Sequence, residues 1–151
     1  MGSNLRGSIV MDGAEVSNLV HECRTATVAT IGRDGLPHLT ALWFAIEDER
    51  VVFLTKTRSQ KVANLRRDPR LSVLMEAGTE YDQLRGAVLE GSATLDEDPG
   101  RLRQVAVAIR HRYAEADVAE DVESSIRKRV AISVEVARVR SWDHRKIGAS
   151  R

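Results

Sequence analysis

The chain has little of what staples, anchors or polarises a protein. One cysteine, Cys23, occurs among 151 residues, so no intrachain disulfide can form. That fits a reducing, cytoplasmic compartment. No apolar run approaches the roughly 20 residues of a membrane span, and Met1 to Val10 lacks the apolar centre of a secretion signal. An excess of one charge is also missing. Lys and Arg number 23 against 22 Asp and Glu, and the two signs mix along the chain, which argues against a dedicated nucleic-acid binder. There is no internal repeat and no low-complexity segment. Catalytic signatures are scarce as well. Neither G-x-S-x-G nor G-x-G-x-x-G occurs. His21, His38, His111 and His144 are scattered without partners at metal-ligand spacing, and each reads as a surface or helix histidine. Aromatic residues make up 4% of the chain, so Trp43 and Trp142 each need their own explanation.

What is present suits one domain, with residues 1–11 as a flexible N-terminal segment. Asp12 and Glu15 form a capping pattern. Val16, Leu19, Val20 and Cys23 then recur at helical spacing, which makes Cys23 a buried, inert thiol. The period switches to two over Thr25 to Ile31. Asp34-Gly35 predicts a type I′ hairpin, and His38 to Ile46 reads as one return strand. Val51 to Thr55, Leu71 to Glu76 and Gly86 to Leu95 are further strands. A capping box at Thr57 to Gln60 starts a helix that ends at Asp68-Pro69. Pro99 opens a long helix with an apolar stripe of Leu102, Val105, Ala106, Ile109 and Tyr113. Val118, Val122 and Ile126 suggest another. Val130 to Val136 alternates, and its phase slips near Ala137, as a bulge would require. Strands joined mainly by hairpins, with helices inserted later, imply a mainly β, α+β architecture: an antiparallel barrel with peripheral helices.

The most informative segment is Thr55 to Arg70. It carries Lys56, Arg58, Lys61, Arg66, Arg67 and Arg70 against a single acid, Asp68. A capped helix start directly after a strand offers free N–H groups and a positive dipole end to an anion. Thr57 and Ser59 add hydroxyls, and Lys61 is expected on the outer face of the helix. A phosphate-bearing ligand suits this arrangement, while a solvated basic helix face is the plainer alternative. Trp43 sits mid-strand and reads as core. Trp142 lies among Ser141, Asp143, His144, Arg145 and Lys146, beyond the last alternating strand, where a tryptophan caps a pocket or a partner. Spacing assigns no role to the loop Tyr81 to Gly86.

Four blocks are familiar in combination. TATVATIGRDGLPHLTALWF (Thr25 to Phe44) and KTRSQKVANLRRDPR (Lys56 to Arg70) resemble the pyridoxamine 5′-phosphate oxidase-like, FMN-binding split-barrel superfamily. YDQLRGAVLEGSA (Tyr81 to Ala93) and SWDHRKI (Ser141 to Ile147) look like its coenzyme F420-dependent branch. The resemblance implies a split barrel working as a homodimer, with cofactor sites at the interface. It places a flavin-type ring along Thr40, Ala41, Leu42 and Trp43 with Leu54 and Thr55. The cofactor phosphate would meet Lys56, Ser59, Lys61 and Val62, and Trp142 and Lys146 would reach the site, across the dimer if need be. It further implies a cytoplasmic oxidoreductase that passes a hydride between coenzyme F420 and a small conjugated or quinone-like substrate, without a dedicated acid–base residue. FMN is the alternative cofactor, and a non-catalytic flavin-binding or deazaflavin-binding protein the alternative function. Arg66, Arg67 and Arg70 are expected to receive the anionic tail of F420.

Overall fold

Residues 5–114 and 121–148 are described by a computed structural model. A short helix, α1 (Leu5–Ser8), precedes α2 (Gly13–Glu22), whose N-terminus is closed by the expected capping box between Asp12 and Glu15. The strands are β1 (Ala26–Ile31), β2 (Pro37–Leu42), β3 (Ala45–Glu47), β4 (Arg50–Lys56), β5 (Arg70–Ala77), β6 (Arg85–Asp96) and β7 (Arg129–Asp143). Helix α3 (Gln60–Arg67) follows β4. Helices α4 (Pro99–Arg112) and α5 (Val122–Ile126) lie between β6 and β7, and α6 (Arg145–Gly148) follows β7. The expected helical residue Val118 falls outside the described residues.

All seven strands form one antiparallel sheet in the order β2-β1-β5-β6-β7-β4-β3. Its two outermost strands are consecutive in sequence and are joined by Trp43 and Phe44 alone. The ends of the sheet must therefore meet, and the sheet curls into a split barrel. This corrects the single strand expected from His38 to Ile46. The apolar run is continuous, but β2 pairs with β1 and β3 pairs with β4, so the ladder has to break where the chain crosses the split.

The turns differ from expectation too. Gly35 has φ +84° and its N–H bonds the Gly32 carbonyl, while Asp34 keeps a negative φ. That is a three-residue loop with a bulge at glycine, in place of a type I′ turn. A two-residue loop with positive φ at both positions occurs instead at Asp48 (48°) and Glu49 (62°), between β3 and β4. Near Ala137 the sequence is read correctly: Glu90 pairs with Arg138 and Gly91 with Val136, so Ala137 is the extra residue of a bulge. The last strand then runs on to Asp143, which places Trp142 inside a strand opposite Gly86.

The barrel interior holds Val28, Phe53, Val62, Val73, Met75, Val130, Ile132 and Val134, all essentially inaccessible. Burying each such side chain contributes roughly 1.5–3 kcal/mol. A second apolar layer lies on the outside, where Val52 and Ala131 pack against Leu102, Val105 and Ala106 of α4 and Ile126 of α5. Alternation along β4 thus sends Val51, Phe53 and Thr55 inward and Val52, Leu54 and Lys56 toward α4 and α5. That division decides where the site can form.

Candidate functional site

Helix α3 bridges the two sides of the split. Its N-cap is Ser59, whose Oγ accepts the Val62 N–H, so the cap sits two residues later than the expected Thr57. Two polar residues one turn apart, Lys61 and Asn64, point into the protein. Asn64 Nδ2 donates to Thr30 Oγ1 of β1 at 3.0 Å, and Lys61 Nζ donates to Thr55 Oγ1 of β4 at 3.0 Å. Lys61 is only 8% exposed, which overturns its expected place on the outer helix face. It makes no ion pair among the described residues. Burial pushes its ammonium below the usual lysine range, and the charge of Arg129 pushes the same way.

Strand β2 contributes polar atoms of a similar kind. Thr40 lies opposite Val28 and His38 opposite Thr30, so both share the inward face of the strand. Thr40 Oγ1 and His38 Nδ1 are buried and have no hydrogen-bond partner among the described residues. A buried polar atom left unpaired costs about 1–3 kcal/mol, so each calls for a partner that a water or a ligand can supply. His38 was missed by the sequence reading, which saw it as a surface residue. Its alternation with Thr40 and Leu42 was the signal available.

Outside β4 the character changes from apolar to basic over a short distance. A cleft of about 230 Å³ is lined by Leu42, Trp43, Leu54, Ala106, Ile109, Arg110, Ser125 and Arg129. Beside it, and sharing Arg129, is a recess of about 530 Å³ walled by Lys56, Arg58, Ser124, Arg127, Lys128 and Arg129. Register pairs Lys56 with Arg129, and the Thr57 N–H bonds the Lys128 carbonyl, which fixes the two basic segments side by side. No carboxylate lines the recess, and none of its five cations makes an ion pair among the described residues. Arg127, Lys128 and Arg129 were not anticipated, because nothing in the sequence tells that a charge cluster before the last strand lands against the one after β4.

The structure therefore brings together Leu42, Trp43 and Leu54 in the cleft, Lys56 in the basic recess, and Thr55 with Lys61 and the Ser59 cap at α3. Thr40 shares the inner face of β2 with Leu42. Ala41 faces the outer side of the sheet, and Val62 is wholly core. Trp142 and Lys146 are not brought to this place within one chain, since they lie at the far end of β7 from Arg129. Trp142 covers Gly86, where a Cβ would lie 2.2 Å from its ring. Lys146 Nζ bonds the Val10 carbonyl and the Glu15 carboxylate. The three arginines expected to receive an anionic tail are engaged elsewhere: Arg66 with Glu97, Arg67 with the Ile31 carbonyl and Asn64, and Arg70 with Asp68. Cys23 is buried and its thiol is pushed up by burial, in keeping with an inert group. No three potential metal-ligating side chains cluster among the described residues.

A curled, split antiparallel sheet with a capped helix across the split defines a split barrel. The chain belongs to the pyridoxamine 5′-phosphate oxidase family, whose model matches residues 13–143. Among solved structures, conserved hypothetical protein Rv2991 from Mycobacterium tuberculosis is similar at 47% identity and TM-score 0.87, over 95% of this chain and 91% of that one. An F420 reductase shares the fold at 22% identity and TM-score 0.71, over 87% of this chain and 98% of that one. So does HutZ, a heme storage protein from Vibrio cholerae, at 15% identity and TM-score 0.70, over 86% and 94% of the two chains. No curated protein matches the sequence. No helix among the described residues is long and apolar enough to cross a membrane.

Proposed function

We propose that this protein is an oxidoreductase that binds coenzyme F420 in the split between β2 and β4. Lys61 is the observation that carries this reading. A buried ammonium whose neighbours are a hydroxyl and another cation lacks a counter-charge among the described residues, and a ligand phosphate supplies one. Thr40 Oγ1 and the backbone of residues 40–43 would hold the polar edge of a flat ring. Leu42, Trp43 and Leu54 supply its apolar surroundings, and Ser59 and Lys61 hold the phosphate. The residues present thus fit a ring-and-phosphate cofactor. The basic recess favours F420 over FMN, because five cations without an ion pair among the described residues exceed what one phosphate needs and F420 carries a polyanionic tail. When bound, the cofactor supplies hydride chemistry, and the protein orients it and excludes water. The substrate is read as a small conjugated or quinone-like molecule.

The working unit is a homodimer in this reading. Register lays Ala41, Thr27, Leu74 and Val88 in one row across the outer face of four strands, next to Leu39, which is 62% exposed. Glu90 with Arg138 and Arg140 borders that row, a mixed-charge rim suited to a self-complementary interface. Sedimentation at micromolar concentration should give twice the chain mass; a monomer that holds cofactor overturns the dimer. Absorbance titration of the purified protein with F420, FMN and hemin tests the cofactor. F420 should bind most tightly. Tighter binding of FMN returns the function to its FMN alternative, and binding of hemin alone overturns both.

A further inference from the structure

The two residues that cross the split, Trp43 and Phe44, belong to neither ladder, so something else must hold them. Tyr113, the residue that ends α4, does so. Its ring lies parallel to that of Trp43, with centroids 4.2 Å apart and planes 4° from coincidence. The Arg24 guanidinium covers the ring too, at 4.7 Å from its centroid. The Tyr113 hydroxyl accepts the Phe44 N–H at 3.2 Å and donates to the Arg24 carbonyl at 2.7 Å. Phe44 is fully buried, so without that hydroxyl its N–H would have no partner among the described residues. Next door, Arg112 spans the Val20, His21 and Cys23 carbonyls and lies over the Phe44 ring. The end of α4 is thus a clamp on the crossover.

Trp43 remains 41% exposed although Tyr113 covers one face, and it lines the apolar cleft with Leu42 and Leu54. We infer that Tyr113 is a positioning residue: it holds Trp43 upright as a wall of the ring site and so sets affinity for the ring of the ligand, independently of its phosphate. This rests on the cofactor reading above. Face-to-face stacking with an offset and the Arg24 cation over the second face both favour the arrangement, so the wall is preorganised before any ligand arrives.

The test uses the full-length protein and two probes: FMN or F420, whichever binds, and the same ring without phosphate (riboflavin or deazariboflavin). Tyr113→Leu should raise both dissociation constants by the same factor, about five- to twentyfold. Lys61→Met should weaken the phosphorylated probe alone. Trp43→Leu leaves the hydroxyl bonds of Tyr113 intact and should reproduce the Tyr113→Leu factor, and the double variant should add nothing further. Tyr113→Phe should keep ring affinity near wild type. In a Trp142→Phe background the ligand-free Tyr113→Leu protein should show red-shifted Trp43 emission. Wild-type affinity for the bare ring in Trp43→Leu overturns the inference, even if Tyr113→Leu fails to fold. So does additivity in the double variant. If the unaltered protein binds neither probe, the cofactor reading has failed; the emission shift then reports on the clamp by itself, and its absence overturns that as well.

Discussion

Replacing Arg127, Lys128 and Arg129 together by alanine is expected to weaken F420 binding by roughly 100- to 1000-fold while changing FMN affinity by about tenfold or less. These cations stand with Lys56 and Arg58 around a recess that no carboxylate lines among the described residues, and none of them makes an ion pair there. A polyanionic tail meeting them would form charge-assisted contacts, each partly screened by solvent. Screening acts over about 8–10 Å at physiological ionic strength, so F420 affinity should fall steeply with salt in the natural sequence. The slope should flatten in the triple variant. The backbone has no reason to rearrange. Lys128 has φ 54°, which alanine tolerates no worse than lysine, and its carbonyl still receives the Thr57 N–H. Dissociation constants for both cofactors at two salt concentrations decide the matter. Equal losses for F420 and FMN would remove the tail from this recess, and no loss for either would leave the recess a solvated basic surface.

The second large effect concerns Lys61, whose charge should govern both ligand affinity and the pH dependence of stability. Its folded-state pKa lies below the 10.5 of a free lysine side chain, because burial strips its water and Arg129 repels it. Between the two values the unfolded chain holds a proton that the folded chain has released. Stability of the ligand-free protein therefore rises with pH across that window. Below it the charged ammonium imposes its full penalty on the fold. Lys61→Met keeps the length and removes the charge. The ligand-free variant should lose the rise in stability toward alkaline pH, while at neutral pH the relief of the buried charge is set against the lost bond to Thr55 Oγ1. Cofactor affinity should drop about 10- to 100-fold, and the cofactor-induced rise in melting temperature should nearly vanish. A variant that melts lower without ligand yet binds as before would show that Lys61 is merely a tolerated core lysine.

Much of the scaffold was legible in the residues. Strict alternation located the strands, and the phase slip after Val136 located the bulge at Ala137. Asp12 with Glu15, Asp68-Pro69 and Pro99 marked helix ends through backbone chemistry that needs no tertiary context. What escaped was set by partners distant in sequence. The apolar run through Trp43 and Phe44 gives no sign that β2 and β3 join opposite ends of a sheet. Lys61 sits in a basic stretch and looks solvated until α3 is laid across the split. Tyr113 reads as one more member of a helical stripe, although its ring meets a tryptophan 70 positions earlier. Trp142 looks like part of a polar tail because the strand carrying it turns Arg138 and Arg140 to the outside.

The placement of β7 bears on how such a chain is born. This strand bonds β6 along one edge and β4 along the other, and β4 lies more than 70 residues upstream of it. During synthesis β4 and β6 emerge early and must wait, each with an open ladder, for the last strand to fit between them. Closure then depends on contacts remote in sequence, which form slowly and leave the waiting edges sticky. A ribosome that stalls before Arg129 would release a chain with two unpaired strand edges and with α4 and α5 lacking the strand they pack on, a natural client for chaperones and proteases.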